Sequence, residues 1–102
     1  AASVQPLPEF PAIERDLSLV LAEDVPWARV NTLVREADLD RLESCDFVGV
    51  YRGKQVGAGK KSLTLRLTFR DPERTLRHEE VDPQVETAVA RFKQTLGAEI
   101  RA

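Results

Sequence analysis

Methionine is absent from the 102-residue sequence, and cysteine and histidine occur once each, as Cys45 and His78. A single cysteine excludes an internal disulfide, and one cysteine with one histidine cannot assemble a zinc site. The residues that usually carry hydride transfer, acyl transfer and metal-dependent chemistry are therefore missing, so the sequence predicts no catalytic residue and no metal. Because translation begins with methionine, we expect the chain to be a processed or excised piece.

Long apolar runs are also absent. No run approaches the roughly 18 residues that indicate a membrane span, and the first twenty residues lack the basic-then-apolar layout of a secretion signal. We therefore expect a soluble, cytoplasmic protein with no membrane partner. Its 102 residues, 42% of them apolar, are enough to fill one hydrophobic core but not two, which predicts a single domain.

The charges are unevenly distributed, although 15 basic residues nearly balance 17 acidic ones. Residues 51–70 contain six basic side chains and no acid, which leaves nine basic and 17 acidic residues elsewhere. A basic segment of this kind either attracts a polyanion or is ordinary solvated surface. Composition alone leaves both interpretations open.

Hydrophobic periodicity predicts six secondary-structure elements within a folded domain at 13–102, after an extended lead-in or linker at 1–12. Alternating apolar residues are typical of strands with one buried face, and apolar residues at helical spacing are typical of amphipathic helices. The predicted elements are strand 15–21, helix 25–37, strand 43–51, strand 62–70, a second helix that ends before Gly97, and strand 98–101.

Capping signals predict where the helices begin. Asp24 followed by Pro26 is a typical cap and first-turn pair for the first helix. For the second helix, Asp82 and Pro83 form a similar pair, and an earlier turn at 79–81 is the alternative.

The order strand-helix-strand-strand-helix-strand with right-handed crossovers predicts an α+β, ferredoxin-like split βαβ fold. Its four-stranded antiparallel sheet carries both helices on one face, so the strand positions that alternate with the apolar ones form an open face. Strand parity places the following side chains there, with Phe47 as a further candidate: Asp16, Ser18, Tyr51, Ser62, Thr64, Arg66, Glu99 and Arg101. An exposed aromatic beside hydroxyls and a guanidinium suits an unpaired base, but these residues also suit an ordinary hydrated sheet face.

Two other candidate sites are rejected. The stretch 57–62 is similar to part of a phosphate-binding loop, but Lys54 stands where the first glycine is needed and the stretch leads into a strand. Cys45 and His78 are interpreted as a small core residue and a surface residue rather than as a nucleophile pair.

Three motifs, in order along the chain, carry a family resemblance. They are Phe-Pro-Ala-Ile-Glu-Arg-Asp-Leu at 10–17, Val-Tyr-Arg-Gly-Lys-Gln-Val-Gly at 50–57 with Lys-Lys-Ser-Leu at 60–63, and Arg-Leu-Thr-Phe at 66–69 with Arg-Thr-Leu at 74–76. Together they resemble the ferredoxin-fold anticodon-binding domain that closes the β subunit of bacterial phenylalanyl-tRNA synthetase.

The resemblance implies a non-catalytic module that positions tRNA-Phe for aminoacylation carried out elsewhere. Its implied partners are the tRNA-Phe anticodon stem-loop, the remainder of the β subunit and the α subunit of an α2β2 synthetase; that enzyme would use ATP and Mg²⁺, with no cofactor in this domain. A first anticodon base is expected to stack on Tyr51, hydrogen-bond to Ser62 and meet Ser18 on its other side. The complete expected RNA-binding set is Ser18, Tyr51, Arg52, Lys54, Lys60, Lys61, Ser62, Thr64 and Arg66.

The sequence departs from the family pattern in two places. Phe47-Val48-Gly49 replaces Leu-Phe-Asp, which either lets RNA approach more closely or reflects repacking around Phe47. Arg77 replaces a threonine cap, which favours the later start of the second helix, at Asp82 and Pro83.

Two other classes of function stay open. A docking module would bind another protein or domain through the open sheet face, and it would depend on an exposed Phe47 rather than on the lysines. A small-ligand regulatory domain or a small hydrolase has only fold analogy in its favour, because no convergent catalytic pair appears in the sequence.

Overall fold

The computed structural model describes residues 10–101 and confirms the predicted order of elements. The elements are β1 Ile13–Ala22, α1 Trp27–Ala37, β2 Leu42–Tyr51, β3 Lys60–Phe69, α2 His78–Leu96 and β4 Glu99–Arg101. Most of the predicted lead-in, residues 1–9, lies outside the described residues. Over 10–101, neither helix is long and apolar enough to cross a membrane.

The four strands form one antiparallel sheet in the order β2-β3-β1-β4, so β1 and β3 are the central strands. The register places Leu19 of β1 opposite Leu63 of β3, and both side chains are fully buried. Val30 of α1 and Phe92 of α2 pack into the same core. Both helices therefore cover one face of the sheet, as the strand alternation predicts, and the other face stays open.

The start of α1 differs from the prediction. Asp24 lies in a turn closed by a 3.1 Å hydrogen bond from the Val25 N–H to the Ala22 carbonyl, which is too far upstream for a cap. The residue at the N-cap position is Pro26, which makes no side-chain capping bond. The expected Asp24 cap is therefore wrong, because the chain uses two more residues to turn from β1 into the helix.

The start of α2 also differs, since the helix begins at His78 and contains Pro83 in its second turn. The Glu80 carboxylate accepts a 3.0 Å hydrogen bond from the Arg77 N–H and two more from the Arg74 guanidinium. This arrangement satisfies a free amide at the helix start, as in half of a capping box. The favoured start at Asp82 and Pro83 is therefore wrong, and the earlier turn is part of the helix.

The end of α2 confirms the prediction. Gly97 has a φ of 63° and donates its N–H to the Lys93 carbonyl at 3.1 Å. A left-handed residue at this position is the usual glycine stop signal. The chain then passes the buried Ala98 and enters β4 at the edge of the sheet, beside β1.

Candidate nucleic-acid interface

Cross-strand pairing arranges the open face into rows, because residues directly opposite each other in an antiparallel sheet point to the same side. The first row is Tyr51, Ser62, Val20 and Glu99; the second is Gly49, Thr64, Ser18 and Arg101; the third is Asp46, Arg66 and Asp16. The register thus brings all predicted open-face residues together except Phe47. It adds Val20, Gly49 and Asp46, which carry no aromatic, hydroxyl or basic group and so were not predicted as part of the site.

Phe47 lies on the helix side of the sheet, so its expected place on the open face is wrong. It stands opposite Leu65 of the core, and its ring centroid is 5.7 Å from that of Trp27 in α1. The cause is a register shift between Phe47 and Gly49, which leaves Val48 as an extra residue in β2. Such a bulge reverses the alternation on one side of itself, so Phe47 packs towards α1.

Tyr51 occupies the end of β2 with its side chain half exposed. Its hydroxyl donates a 2.8 Å hydrogen bond to Gln55 Oε1 in the hairpin that joins β2 to β3. Beside it in the first row lies Ser62, which is nearly buried, together with the buried Val20. The first row therefore presents an aromatic ring, one hydroxyl and a small apolar surface, with the exposed Glu99 at its β4 end.

The second row contributes two more hydroxyls at the centre of the sheet. Ser18 Oγ and Thr64 Oγ1 are 2.7 Å apart and hydrogen-bonded to each other. One of the two oxygens must donate to the other, so the pair keeps one hydroxyl hydrogen and several lone pairs for a ligand. Gly49, at the β2 end of this row, leaves open space, because a Cβ atom there would meet nothing within 4 Å.

The third row is an ion-pair cluster. Arg66 donates to both carboxylate oxygens of Asp16, at 2.8 and 3.0 Å, and Asp46 stands opposite it on β2. The hydrogen bonds from Arg66 hold the pKa of Asp16 below its usual range. Arg66, which the sequence predicts to attract phosphate, is thus already paired with an acid from a neighbouring strand.

Arg52 is paired in the same way. Its guanidinium donates to both carboxylate oxygens of Glu23, one of them at 2.6 Å, and these hydrogen bonds lower the pKa of Glu23. A bidentate pair fixes the guanidinium and neutralises its charge. Arg52 therefore ties the start of the hairpin to the turn that follows β1, which limits its availability to a phosphate.

The three hairpin lysines differ in their surroundings. Lys54 and Lys60 are exposed, and within 10–101 no carboxylate lies at ion-pair distance from either of them. Lys61 is 7% exposed and stands opposite Leu21, which belongs to the core side of the sheet. The freest positive charge therefore lies at the hairpin end of the sheet, beside Tyr51.

The opposite end of the open face has a different character. A depression of about 470 Å³ lies there, and its polar lining includes Glu14, Ser44, Asp46, Arg66 and Thr68. Because acids and arginines are mixed here, the end away from Tyr51 offers a polyanion less attraction than the hairpin does. The open face is thus electrically asymmetric along its strands.

The remaining reactive side chains are separate from this face. Cys45 is buried in the core, and desolvation raises the pKa of its thiol from 9.0 to about 11. His78 is exposed at the start of α2, where its Nδ1 lies 3.1 Å from Arg15 Nη2. Among the described residues, no group of three or more His, Cys, Asp or Glu side chains is placed to hold a metal ion.

Comparison with known proteins gives a consistent family assignment. Three relatives carry the name phenylalanine–tRNA ligase beta subunit: those of Symbiobacterium thermophilum, 41% identical over 101 residues, Corynebacterium efficiens, 42% over 95, and Anaeromyxobacter dehalogenans, 40% over 97. The alignments cover 99%, 93% and 95% of this chain but only 11% to 12% of the relatives' lengths. The model of the ferredoxin-fold anticodon binding domain matches residues 8–101, and the chain therefore belongs to that family.

Proposed function

We propose that this domain binds the anticodon loop of tRNA-Phe on its open sheet face. The observation that carries the proposal is the arrangement of the first two rows, where the half-exposed Tyr51 stands beside the hydroxyls of Ser62, Ser18 and Thr64. The family assignment supports this proposal, since it gives the domain an anticodon-binding role.

In the proposed complex, one unpaired base stacks on the Tyr51 ring and places its edge over the sheet. Such a stack contributes about 1–3 kcal/mol and tolerates any base. Preference among bases then comes from hydrogen bonds to the base edge. The Ser18–Thr64 pair can both donate to and accept from a base, while Ser62 supplies a further hydroxyl next to Tyr51.

Phosphate attraction comes mainly from Lys54 and Lys60, because these exposed residues belong to the hairpin that follows Tyr51 and have no acid at ion-pair distance within 10–101. Arg52 and Arg66 contribute less, since each donates to both oxygens of a carboxylate. Lys61 adds to the positive potential of the hairpin from the core side of the sheet. The RNA backbone accordingly runs near the hairpin, and the bases point across the first and second rows.

We propose the same context for the domain as for its relatives, as one module of a phenylalanine–tRNA ligase β subunit. The ligase would also contain an α subunit, would work in the cytoplasm and would use ATP and Mg²⁺ outside this domain. Here the domain positions tRNA-Phe, and aminoacylation takes place elsewhere in the enzyme. This chain spans only 11% to 12% of the relatives' lengths, so most of such a subunit is available for catalysis and assembly.

The test compares two aromatic residues on opposite sides of β2. Tyr51 and Phe47 are 49% and 47% exposed, but only Tyr51 lies on the open face. We expect Tyr51→Ala to weaken binding of a fluorescently labelled tRNA-Phe anticodon stem-loop by about 5- to 150-fold, which corresponds to the loss of one stack. Phe47→Ala is the matched control and should leave this affinity within about twofold, with folding of both variants checked by circular dichroism.

Two results would contradict the proposal. Unchanged affinity in Tyr51→Ala at moderate salt would remove the stacking role. A greater loss in Phe47→Ala, together with binding that does not depend on salt, would contradict an open-face site, because Phe47 lies on the helix side of β2 and its contact would be apolar.

A further inference from the structure

The hairpin that follows β2 approaches Tyr51 more closely than a side chain would permit. A Cβ atom at Gly53 would lie 2.6 Å from Tyr51 Oη and 2.9 Å from Tyr51 Cζ, distances that real Cβ atoms do not show. The φ of Gly53 is not positive, so its backbone conformation suits any residue. A side chain at position 53 would therefore have to displace the phenol end of the Tyr51 ring.

Gln55 holds the same end of the ring from a second direction. Its Oε1 accepts the 2.8 Å hydrogen bond from the Tyr51 hydroxyl, and it would lie 3.0 Å from a Cβ atom at Gly53. The turn that carries Gln55 is fixed, because the Val56 N–H donates to the Gly53 carbonyl at 3.0 Å and the Val56 side chain is buried. Gly53 and Gln55 thus enclose the phenol end of Tyr51 in a defined turn.

The hairpin itself is attached to the end of β1 at two points. On one side, the Arg52 guanidinium is paired with the Glu23 carboxylate; on the other, the Glu23 N–H donates to the Gly59 carbonyl at 2.9 Å. Movement of the hairpin relative to the sheet is therefore restricted on both of its strands. Because the hairpin is attached to the sheet, its contacts with Tyr51 also fix the Tyr51 ring relative to the open face.

We propose that Gly53 and Gln55 are positioning residues for RNA binding, which hold the Tyr51 ring in one orientation before a base stacks on it. This inference rests on the proposed function and extends it to two residues that do not themselves contact the base. The physical gain is preorganisation, because a ring that is already ordered loses less freedom when RNA binds. Tyr51 is exposed at the end of an edge strand, where an unsupported ring would be mobile.

A double-mutant cycle tests the inference in the full 102-residue chain. Affinity for the labelled tRNA-Phe anticodon stem-loop is measured for the wild type, Gly53→Ala, Tyr51→Ala and the double variant. We expect Gly53→Ala to weaken binding about two- to twelvefold when Tyr51 is present, the range for the ordering of one side chain. In the Tyr51→Ala background, Gly53→Ala should have no further effect, because the group on which it acts is absent.

A second measurement follows the ring in the free protein. Tyr51 is the only tyrosine, so its ring signals in an NMR spectrum of tyrosine-labelled protein are unambiguous. Gly53→Ala and Gln55→Met should shift and broaden these signals, whereas Gln55→Glu should preserve them because a carboxylate also accepts the phenol hydrogen bond. Gly49→Ala is the matched glycine control for the ring signals, since a Cβ atom there meets nothing within 4 Å.

The outcomes separate this inference from the proposed function. An equal loss of affinity from Gly53→Ala in both backgrounds, or ring signals that stay unchanged in Gly53→Ala and Gln55→Met, would overturn the positioning role. Strong weakening in Tyr51→Ala with none in Gly53→Ala would overturn it while leaving the proposed function intact. Unchanged affinity in Tyr51→Ala would instead refute RNA binding through Tyr51, and the positioning role with it.

Discussion

In the proposed RNA complex Glu23 limits the contribution of Arg52, and Glu23→Gln should release it. The carboxylate of Glu23 accepts two hydrogen bonds from the Arg52 guanidinium, so the pair carries no net charge. Glutamine keeps an acceptor for Arg52 but removes the negative charge. The backbone bond from residue 23 to the Gly59 carbonyl does not involve the side chain, so the hairpin should remain attached to β1.

The magnitude follows from counterion release. Each phosphate that a basic group neutralises on single-stranded nucleic acid steepens the dependence of log K on log salt by about 0.7. If Arg52 gains one phosphate contact in Glu23→Gln, the affinity should fall about 2.6-fold more than in the wild type between about 50 and 200 mM salt. The variant should also bind more tightly than the wild type at the lower salt concentration, since a full positive charge then faces the RNA.

The assay is fluorescence anisotropy of the labelled anticodon stem-loop over this range of salt. Glu86→Gln provides the matched control, because it makes the same charge change on an exposed residue of α2, behind the sheet. Parallel salt dependences for Glu23→Gln and the wild type would refute the interpretation that the acid restrains Arg52. Weaker binding at low salt would show instead that the ion pair is needed to hold the hairpin in place.

Two further predictions concern stability. Hydrogen bonds from Arg74 and the Arg77 N–H lower the pKa of Glu80 from 4.5 to about 2, so the stability that this carboxylate contributes is complete above pH 4.5 and is lost as the pH falls towards about 2. Glu80→Gln should flatten the pH dependence of urea unfolding in that interval, and an unchanged dependence would contradict this assignment. Phe92→Ala should lower the free energy of unfolding by about 3–5 kcal/mol, because the ring is fully buried between α2 and the sheet; a urea midpoint equal to that of the wild type would disprove its core role.

The central strands were predictable because two partners constrain each of them. β1 and β3 are each paired on both sides, and their leucines alternate without interruption against the helices. If either strand slipped by one residue against its neighbour, its leucines would move from the core face to the solvent face. The register in the structure is therefore the one that the alternation of leucines predicts. The places of Ser18, Ser62, Thr64 and Arg66 on the open face follow directly from that alternation.

The charge pattern was less predictable, because pairing partners are distant in sequence. Arg52 and Glu23 are 29 residues apart, and Arg66 and Asp16 are 50 apart. A count of charges along 51–70 shows six cations but cannot show that three of them, Arg52, Arg66 and Arg70, are paired with acids from other parts of the chain. The start of α2 was missed for a different reason: Arg74 and Arg77, which donate to Glu80, are close to it in sequence, but neither is a usual helix-cap residue.

The bulge in β2 determines which side chains of this edge strand lie on each face of the sheet. Strict alternation from Tyr51 would place Phe47 on the open face; the extra residue at Val48 moves Phe47 to the helix side, against Trp27. Tyr51 is consequently the one aromatic that the described part of the chain presents on the rows near the hairpin. Gly49 gives the adjacent row neither a side chain nor the acid of the family pattern. In the proposed complex, a base stacked on Tyr51 would therefore meet uncharged backbone on the β2 side and the hydroxyls of the central strands on the other.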